Sequence, residues 1–479
     1  MKNLMSTWFS PFEPVLPRLR AFINRIARPA ITLVFVATWL SLTAHESTAW
    51  SLHYLITDQS LTEFQSPSLN LAEVTVVKPF DEFLKSSPQD LKLVFDRFYD
   101  WLDSRPLKRY KRQTFDAAHP TQAEFLKAAR LNPKTQLKLV TRVLPSEPQN
   151  SKEIPGALHQ VVGASKTENP EFEYRFAEVQ KNQTVSVRSE LITFCDEPDW
   201  GMDQDLFQIA EYGYGKIPYG GETGIPSQAP FHMLFLTENF IVKFAAPEAL
   251  EGMGRERVEL FSRLSQFAFA HNERYWGFRF AGWALHYLQD LGQPYHSRAM
   301  PHWTITDYLK FAVSSEKEKI KKDATQLVKN RHFAYEDLVA HALQAAYFSA
   351  GEFEKALAVS TRAEAKDFSV NPGPSEKQSL AVSLVEIMSR TAGAHSHVID
   401  AVLVDTLGQK YTNDPAYDLQ TDKDYQIKTL LPRLDQKKLN HLLQETQVDF
   451  SRVGAITRAW VESLVSFSGA ASSNSRSDK

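Results

Sequence analysis

The segment HYLQDLGQPYH, residues 286–296, constrains this chain more than any other. It closes a run, NERYWGFRFAGWALHYLQDL, that is apolar on more than one face, so the helix it predicts is largely buried. Two ligand-type side chains nevertheless stand at its end. Residues four apart on a helix lie about 40° from one another around the axis and one turn apart along it. His286 and Asp290 therefore point the same way and can hold one ion between them. Gly292 and Pro294 then stop the helix, because proline lacks an amide donor and restricts the residue before it. The chain turns, and His296 can face back toward the same cavity. It lies too far along to complete the first site and suits a second ion. RHFAYEDLV supplies the partners, placing His332 and Glu336 on one helical face.

Imidazoles and carboxylates in threes suit zinc, and three protein ligands leave a position open for water or substrate. A lone histidine–carboxylate pair at this spacing is common by chance; H-x3-D-x5-H followed by H-x3-E is much rarer. With these residues the sequence resembles the secreted zinc-dependent phospholipases C and the related fungal single-strand-specific nucleases. HYLQDLGQPYH matches their signature H-Y-x-x-D-x-x-Q-P-x-H, Gln293 and Pro294 included, and HFAYEDLV matches their H-x-x-x-E. These strong motifs cover only a small part of the chain.

The resemblance implies a mainly α fold, a multi-helix zinc phospholipase C-like bundle, and nine ligands for three zinc ions. Family members bind metal through the amino group and carbonyl of a mature N-terminal tryptophan, which here would be Trp50 in the junction STAW. By the same likeness His53 follows it, Asp196 in FCDEPDW is the next ligand with Asp199 as its substitute, and His232 in QAPFHMLF is the third. Asp196, His232, His286 and Asp290 would hold one zinc. Trp50, His53 and Asp290 would hold its neighbour, with Asp290 bridging, and His296, His332 and Glu336 the third. The chain also departs from the pattern. Trp50 and His53 are closer together than in the family, and its choline-pocket residues are missing, with Glu197 where an aromatic is expected and Ala229 three before His232. Glu336 in place of aspartate leans toward the phospholipase branch.

Around the motif lies an ordinary folded chain. Its 479 residues suffice for one large domain or two, and 43% hydrophobic with 23% charged residues is the balance of a globular protein. A net charge of -3 gives no basic footprint for duplex nucleic acid. Cys195 is the single cysteine, which excludes an intrachain disulfide and reads as a small buried residue. Lys2, Arg18, Arg20, Arg25 and Arg28 precede the apolar AITLVFVATWLSLTA, which is shorter than the roughly 20 residues of a spanning helix. Ser47 and Ala49 stand where a signal peptidase reads. Residues 1–49 are thus expected to be a signal peptide, with an uncleaved membrane anchor as the competing reading. Cleavage after Ala49 would free the Trp50 amine and send the protein to the periplasm or outside the cell.

Residues 50–69 form the N-terminal ligand segment, and 70–190 a mixed α/β insertion ahead of a helical catalytic core at 191–467. SPQDLKLVFDRFYDWLDSR predicts a helix from Pro88, and PTQAEFLKAARL another from Pro120. TQLKLVTRVL and QTVSVRSELITF carry the β-branched alternation of strands, and SEPQNSKEIPG is a loop. Later helices are expected at about 305–329, 332–349, 351–366, 375–406 and 436–467. The tail SGAASSNSRSDK, residues 468–479, is expected to be disordered. EYGYGKIPYGGETG, 211–224, reads as an aromatic lip or a turn-rich connection, and RPLKRYKR, 105–112, as a solvated basic face. His395 and His397 lie two apart on a helix and make poor co-ligands, and no motif claims His302.

Two zinc ions bridging a water can lower its pKa and clamp phosphoryl oxygens. The chain is therefore expected to be a secreted zinc phosphodiesterase, a phospholipase C acting on phospholipid at a membrane surface, with Asp290 bridging and Asp196 as ligand and general base. One alternative keeps the three zincs and changes the substrate to single-stranded nucleic acid or nucleotides, which needs a stacking aromatic. Another is a membrane-anchored helical protein that binds metal without catalysis. Oligomeric state stays open.

Overall fold

The computed structural model describes residues 52–66, 69–105, 110–144, 176–214, 229–238, 252–348, 357–365, 368 and 379–474. The signal segment, Trp50, the 146–156 loop, the 211–224 loop from 215 onward, residues 106–109 of the basic run, 351–356 and 475–479 lie outside the described residues. In chain order α1 (His53–Leu61), β1 (Val74–Val76), α2 (Phe80–Ser86), α3 (Pro88–Asp103), α4 (Gln122–Ala129), β2 (Val140–Arg142), β3 (Phe176–Glu178), β4 (Thr184–Ser186) and α5 (Val187–Phe194) come first. A helical part follows: α6 (Gly254–Ala270), α7 (Arg274–Asp290), α8 (Pro294–Ser297), α9 (Ile305–Val313), α10 (Lys317–Phe348), α11 (Leu380–Leu407), α12 (Gln409–Thr412), α13 (Ile427–Leu430) and α14 (Gln436–Asn474). The chain is mainly helical, as its periodicity predicts.

The strands form two small antiparallel ribbons, β1 with β4 (Val74 opposite Ser186) and β2 with β3 (Val140 opposite Glu178). Such ribbons are marginal alone, and β2 is fastened to α5 where the Arg142 N–H donates to the Thr193 hydroxyl at 2.9 Å. QTVSVRSELITF is a strand only over Thr184–Ser186. Its second half is α5, because the Ser186 hydroxyl caps the helix by accepting the Ser189 N–H at 3.1 Å. The local cap overrides the β-branched composition.

α7 is the central helix. Every residue of it except Arg274 is buried, and it packs against α5, α6, α11 and α14. Gly282 permits the close approach of the α5 backbone: a Cβ there would lie 3.0 Å from the Phe194 carbonyl carbon and 3.1 Å from the Cys195 nitrogen. Arg279 of α7 is buried but paired with Glu197, and Trp283 Nε1 donates to the same carboxylate at 2.6 Å. That pairing ties the short 3-10 turn Glu197–Trp200 to α7 without leaving a bare charge inside. The Cys195 thiol accepts from Thr57 Oγ1 at 3.1 Å, and burial pushes its pKa up. It is the inert buried residue the sequence suggests.

Three boundaries differ from expectation, and one of them is the helix expected over 351–366, which ends at Ser360. The break expected after 329 falls at 314–316, and α10 runs straight through Asn330 and Arg331. Both polar residues are satisfied inside the fold: Asn330 Nδ2 donates to the Tyr417 carbonyl at 2.8 Å and Arg331 pairs with Asp400 at 2.7 Å. α14 continues to Asn474, so the first part of the expected disordered tail has helical backbone. Alanine and serine extend an already nucleated helix at little cost. No helix among the described residues is long and apolar enough to cross a membrane.

α11 and α14 are joined by His395, whose Nδ1 meets Asp449 at 2.9 Å and whose Nε2 meets Glu445 at 3.0 Å. Burial alone would lower its pKa, but hydrogen bonds and charge from Asp449 and Glu445 hold it above the ordinary imidazole value. Stability from a group raised on folding is whole below its unfolded pKa, about 6.5 for histidine, and is lost as pH rises through the folded value. Urea unfolding of the wild type and His395→Gln between pH 6 and 9 should therefore show a wild-type advantage that shrinks with rising pH. A difference independent of pH would rule the ion pair out as its source.

Candidate metal centre

The last turn of α7 presents His286 and Asp290 together, with Nε2 3.2 Å from Oδ2. His232 reaches them from a distant segment. The turn Ala229–Phe231 leads into extended chain whose Leu234 N–H donates to the His296 carbonyl at 2.9 Å. His232 Nδ1 thereby lies 2.6 Å from Asp290 Oδ2 and 3.1 Å from His286 Nε2. α1 brings His53, whose Nε2 is 3.3 Å from the other oxygen of Asp290. The turn tied down by Glu197 brings Asp199, with Oδ1 3.5 Å from His286 Nε2 and Oδ2 4.0 Å from His53 Nε2.

α8 and α10 build a further group. His296 Nε2 lies 3.1 Å from His332 Nε2 and 3.4 Å from Glu336 Oε1, and His332 Nε2 is 2.8 Å from Glu336 Oε1. Three donor groups that could hold metal result: His53–Asp199–His286, His232–His286–Asp290 and His296–His332–Glu336. Asp290 connects them, since His296 Nδ1 lies 3.9 Å from its Oδ1.

Ligand atoms around a tetrahedral ion with bonds of about 2.0–2.1 Å are about 3.3 Å apart. The edges of the Asp290 triangle, 2.6, 3.1 and 3.2 Å, and of the Glu336 triangle, 2.8, 3.1 and 3.4 Å, are of that scale. Further support comes from orphaned atoms: His53 Nε2, Asp199 Oδ1 and Asp290 Oδ1 are buried with no hydrogen-bond partner. Each such atom costs about 1–3 kcal/mol, a cost that a cation among them removes.

The outer nitrogens of His53 and His286 are held in place. Gln289 Nε2 donates to Thr57 at 2.9 Å and to Thr457 at 3.0 Å, so its oxygen faces His53 Nδ1, 2.9 Å away. His53 thus carries its proton on Nδ1 and turns Nε2 inward. His286 does the same by donating from Nδ1 to the Cys195 carbonyl at 2.8 Å. Such partners commonly orient histidine ligands. His232 Nε2 makes no hydrogen bond and lies 3.6 Å from Asp203, which is paired with Arg257 and accepts the Tyr287 hydroxyl at 2.6 Å.

Charge is distributed unevenly among the donors, and against burial the carboxylates favour a protonated His53 and His232, each of which would release a proton on binding a metal. Burial and the neighbouring His53 push the His286 pKa down to about 3. Burial also acts against a charged His53, but Asp290, Asp199 and Asp196 outweigh it and carry that group up to about 9. Against burial, His286, His53 and His232 keep Asp290 far below the usual carboxylate range, and His332 and His296 lower Glu336. A neutral His286 with ionised Asp290 and Glu336 is the protonation state a metal requires. Burial drives Asp199 the other way, well above its usual range.

Of the residues expected from sequence, His53, His232, His286, Asp290, His296, His332 and Glu336 converge. Asp196 does not join them. Its carboxylate pairs with Arg142 and accepts the Tyr54 N–H at 3.4 Å, while Arg142 lies 4.0 Å from the Tyr54 ring centre and 4.4 Å from that of Phe176. Asp199, weighed only as its substitute, stands among the donors. Trp50 lies outside the described residues. Sequence reasoning missed Asp203, Arg142 and Gln289, of which only Gln289, inside the motif, offered a signal.

Replacing Gln289 by leucine should weaken metal binding about 10–100-fold in chelator competition, the usual scale for a residue that orients a ligand. Arg142→Met strands a buried carboxylate and should cost about 3–5 kcal/mol in urea unfolding. A smaller loss would mean that Asp196 is not held as a charge. No protein-family model, no curated protein and no solved structure matches the chain.

Proposed function

We propose that this chain is an exported zinc-dependent phosphodiesterase of the phospholipase C kind, with three zinc ions in a phospholipase C-like helical bundle and a phospholipid as substrate. The observation that carries the reading is Asp290, whose two oxygens face different imidazoles, Oδ2 toward His232 and His286 and Oδ1 toward His53 and His296. A carboxylate placed in this way suits a bridge between neighbouring ions. When bound, the zincs would acidify a water and offset charge on the phosphoryl oxygens.

The chain's own residues define the rest. His232, His286, His296 and His332 would supply imidazole nitrogens, and Gln289 and the Cys195 carbonyl keep His53 and His286 in the tautomer that binds. Asp199 is 11% exposed while Asp290, His53 and His286 are inaccessible, so it stands nearest the solvent. We assign the proton-accepting role to Asp199 in place of Asp196, whose carboxylate Arg142 occupies. Signal cleavage after Ala49 would leave a free Trp50 amine three residues before His53 in the chain, a further ligand of the kind the resemblance implies. The nuclease alternative needs an exposed ring on which a base can stack. Among the described residues the tyrosines next to the donors in sequence, Tyr54, Tyr287, Tyr295 and Tyr335, are buried, which favours the lipid.

Hydrolysis of phosphatidylcholine and of single-stranded DNA, each with and without chelator, together with metal analysis, tests this function. Chelator-sensitive release of the head group with about three zincs bound is expected, and Asp290→Asn should lower turnover about 10²–10³-fold or more. Unchanged turnover in Asp290→Asn with full zinc content would refute the bridging scheme. Hydrolysis of DNA alone would assign the centre to the nuclease branch. Zinc without hydrolysis of either substrate would leave the non-catalytic reading.

A further inference from the structure

Seven large apolar side chains are exposed among the described residues, and three of them share one helix. Ile305, Leu309 and Val313 recur every fourth residue on α9 and are 48%, 52% and 77% exposed, so they form a single stripe facing solvent. The helix is firmly seated by its opposite side. Tyr308 and Phe311 are buried, with ring centres 4.7 and 5.8 Å from that of Trp303. A capping box between Thr304 and Asp307 fixes its first turn. The stripe is therefore a stable surface feature and not a frayed end.

At the foot of α9 lies a cavity of about 580 Å³ lined by Arg298, His302, Trp303, Ile305, His397 and Asp400. None of these residues belongs to the three donor groups. Asp400 is already engaged by Tyr295 at 2.9 Å and Arg331 at 2.7 Å, which leaves Arg298 to set the sign of the cavity. Arg298 Nε and His302 Nδ1 are buried without a hydrogen-bond partner. Beyond the stripe, residues 310–323 carry five lysines against three acidic side chains in a chain of net charge -3. Lys310, Lys319 and Lys322 among them are exposed.

We infer that α9 and this cavity form a docking surface for a phospholipid bilayer, the stripe entering the acyl boundary and Arg298 meeting a lipid phosphate. Ile305 belongs to both parts, so apolar and cationic elements are continuous, in the order that an amphiphile presents them. Three side chains cover far less than the roughly 800 Å² per partner of a stable protein interface, so a second copy of the chain fits poorly. A bilayer accepts a narrow stripe that has Lys310 on the same helix and further lysines in the segment that follows. The surface makes no use of the metal donors and is tested without them.

The full chain, kept in EDTA, is sedimented with vesicles of phosphatidylcholine alone and with about 30 mol% phosphatidylserine added. Association is expected with both, stronger with the anionic lipid and reduced by high salt. Combining Leu309→Ser with Val313→Ser should weaken it about tenfold or more, while circular dichroism, thermal midpoint and zinc uptake stay as in the wild type. Arg298→Gln should weaken binding several-fold to both vesicle types. Absence of vesicle binding by the wild type, or equal binding by the folded double variant, overturns the inference whatever the outcome of the hydrolysis assays. A wild-type dimer in light scattering that the double variant abolishes would overturn it in favour of self-association.

Discussion

A carboxylate with no access to water, set among four imidazoles, is the constraint around which this molecule is arranged. Asp290 is completely buried at the end of a helix that is itself buried almost throughout. An ionised group in such a place is tolerable only if its surroundings return the solvation it has lost. His232, His286, His53 and His296 supply that environment from four different elements. Their convergence requires α1, the 229–234 segment and α8 to meet the last turn of α7. The wrapping by α6, α11 and α14 keeps that turn in a single place.

Rigidity comes from the layer behind the donors. Gly282 lets the end of α5 come close enough for the Cys195 carbonyl to accept from His286, and the Glu197–Arg279 pair anchors the turn that carries Asp199. Gln289 links His53 to threonines of α1 and α14 in one network. A polar network whose members are satisfied selects one arrangement of a core. Here it also selects which nitrogen of His53 and of His286 faces inward.

Local sequence foretold the parts that depend on helical geometry. His286 with Asp290 and His332 with Glu336 are each separated by one helical turn, so their pairing needs nothing from the rest of the fold. The stretch DEPD was different. Both of its aspartates were plausible donors, and the choice between them was made by Arg142, a strand residue with no local link to that turn. QTVSVRSELITF similarly contained a serine cap that ended the strand early. The polar run at 329–331 looked like a break until its partners at Asp400, Asp418 and Tyr417 came into view.

Amino-acid order alone determined a helical protein with two ligand pairs, because periodicity and spacing along one helix are properties of the local chain. Tertiary structure decided that these pairs, His53, His232 and His296 share one buried centre, that Asp199 enters it while Asp196 is held by a guanidinium, and that the face of α9 is left bare. Those outcomes depend on contacts between residues tens to hundreds of positions apart. Such contacts are settled by packing and by the need to match every buried charge, neither of which any short window of sequence contains.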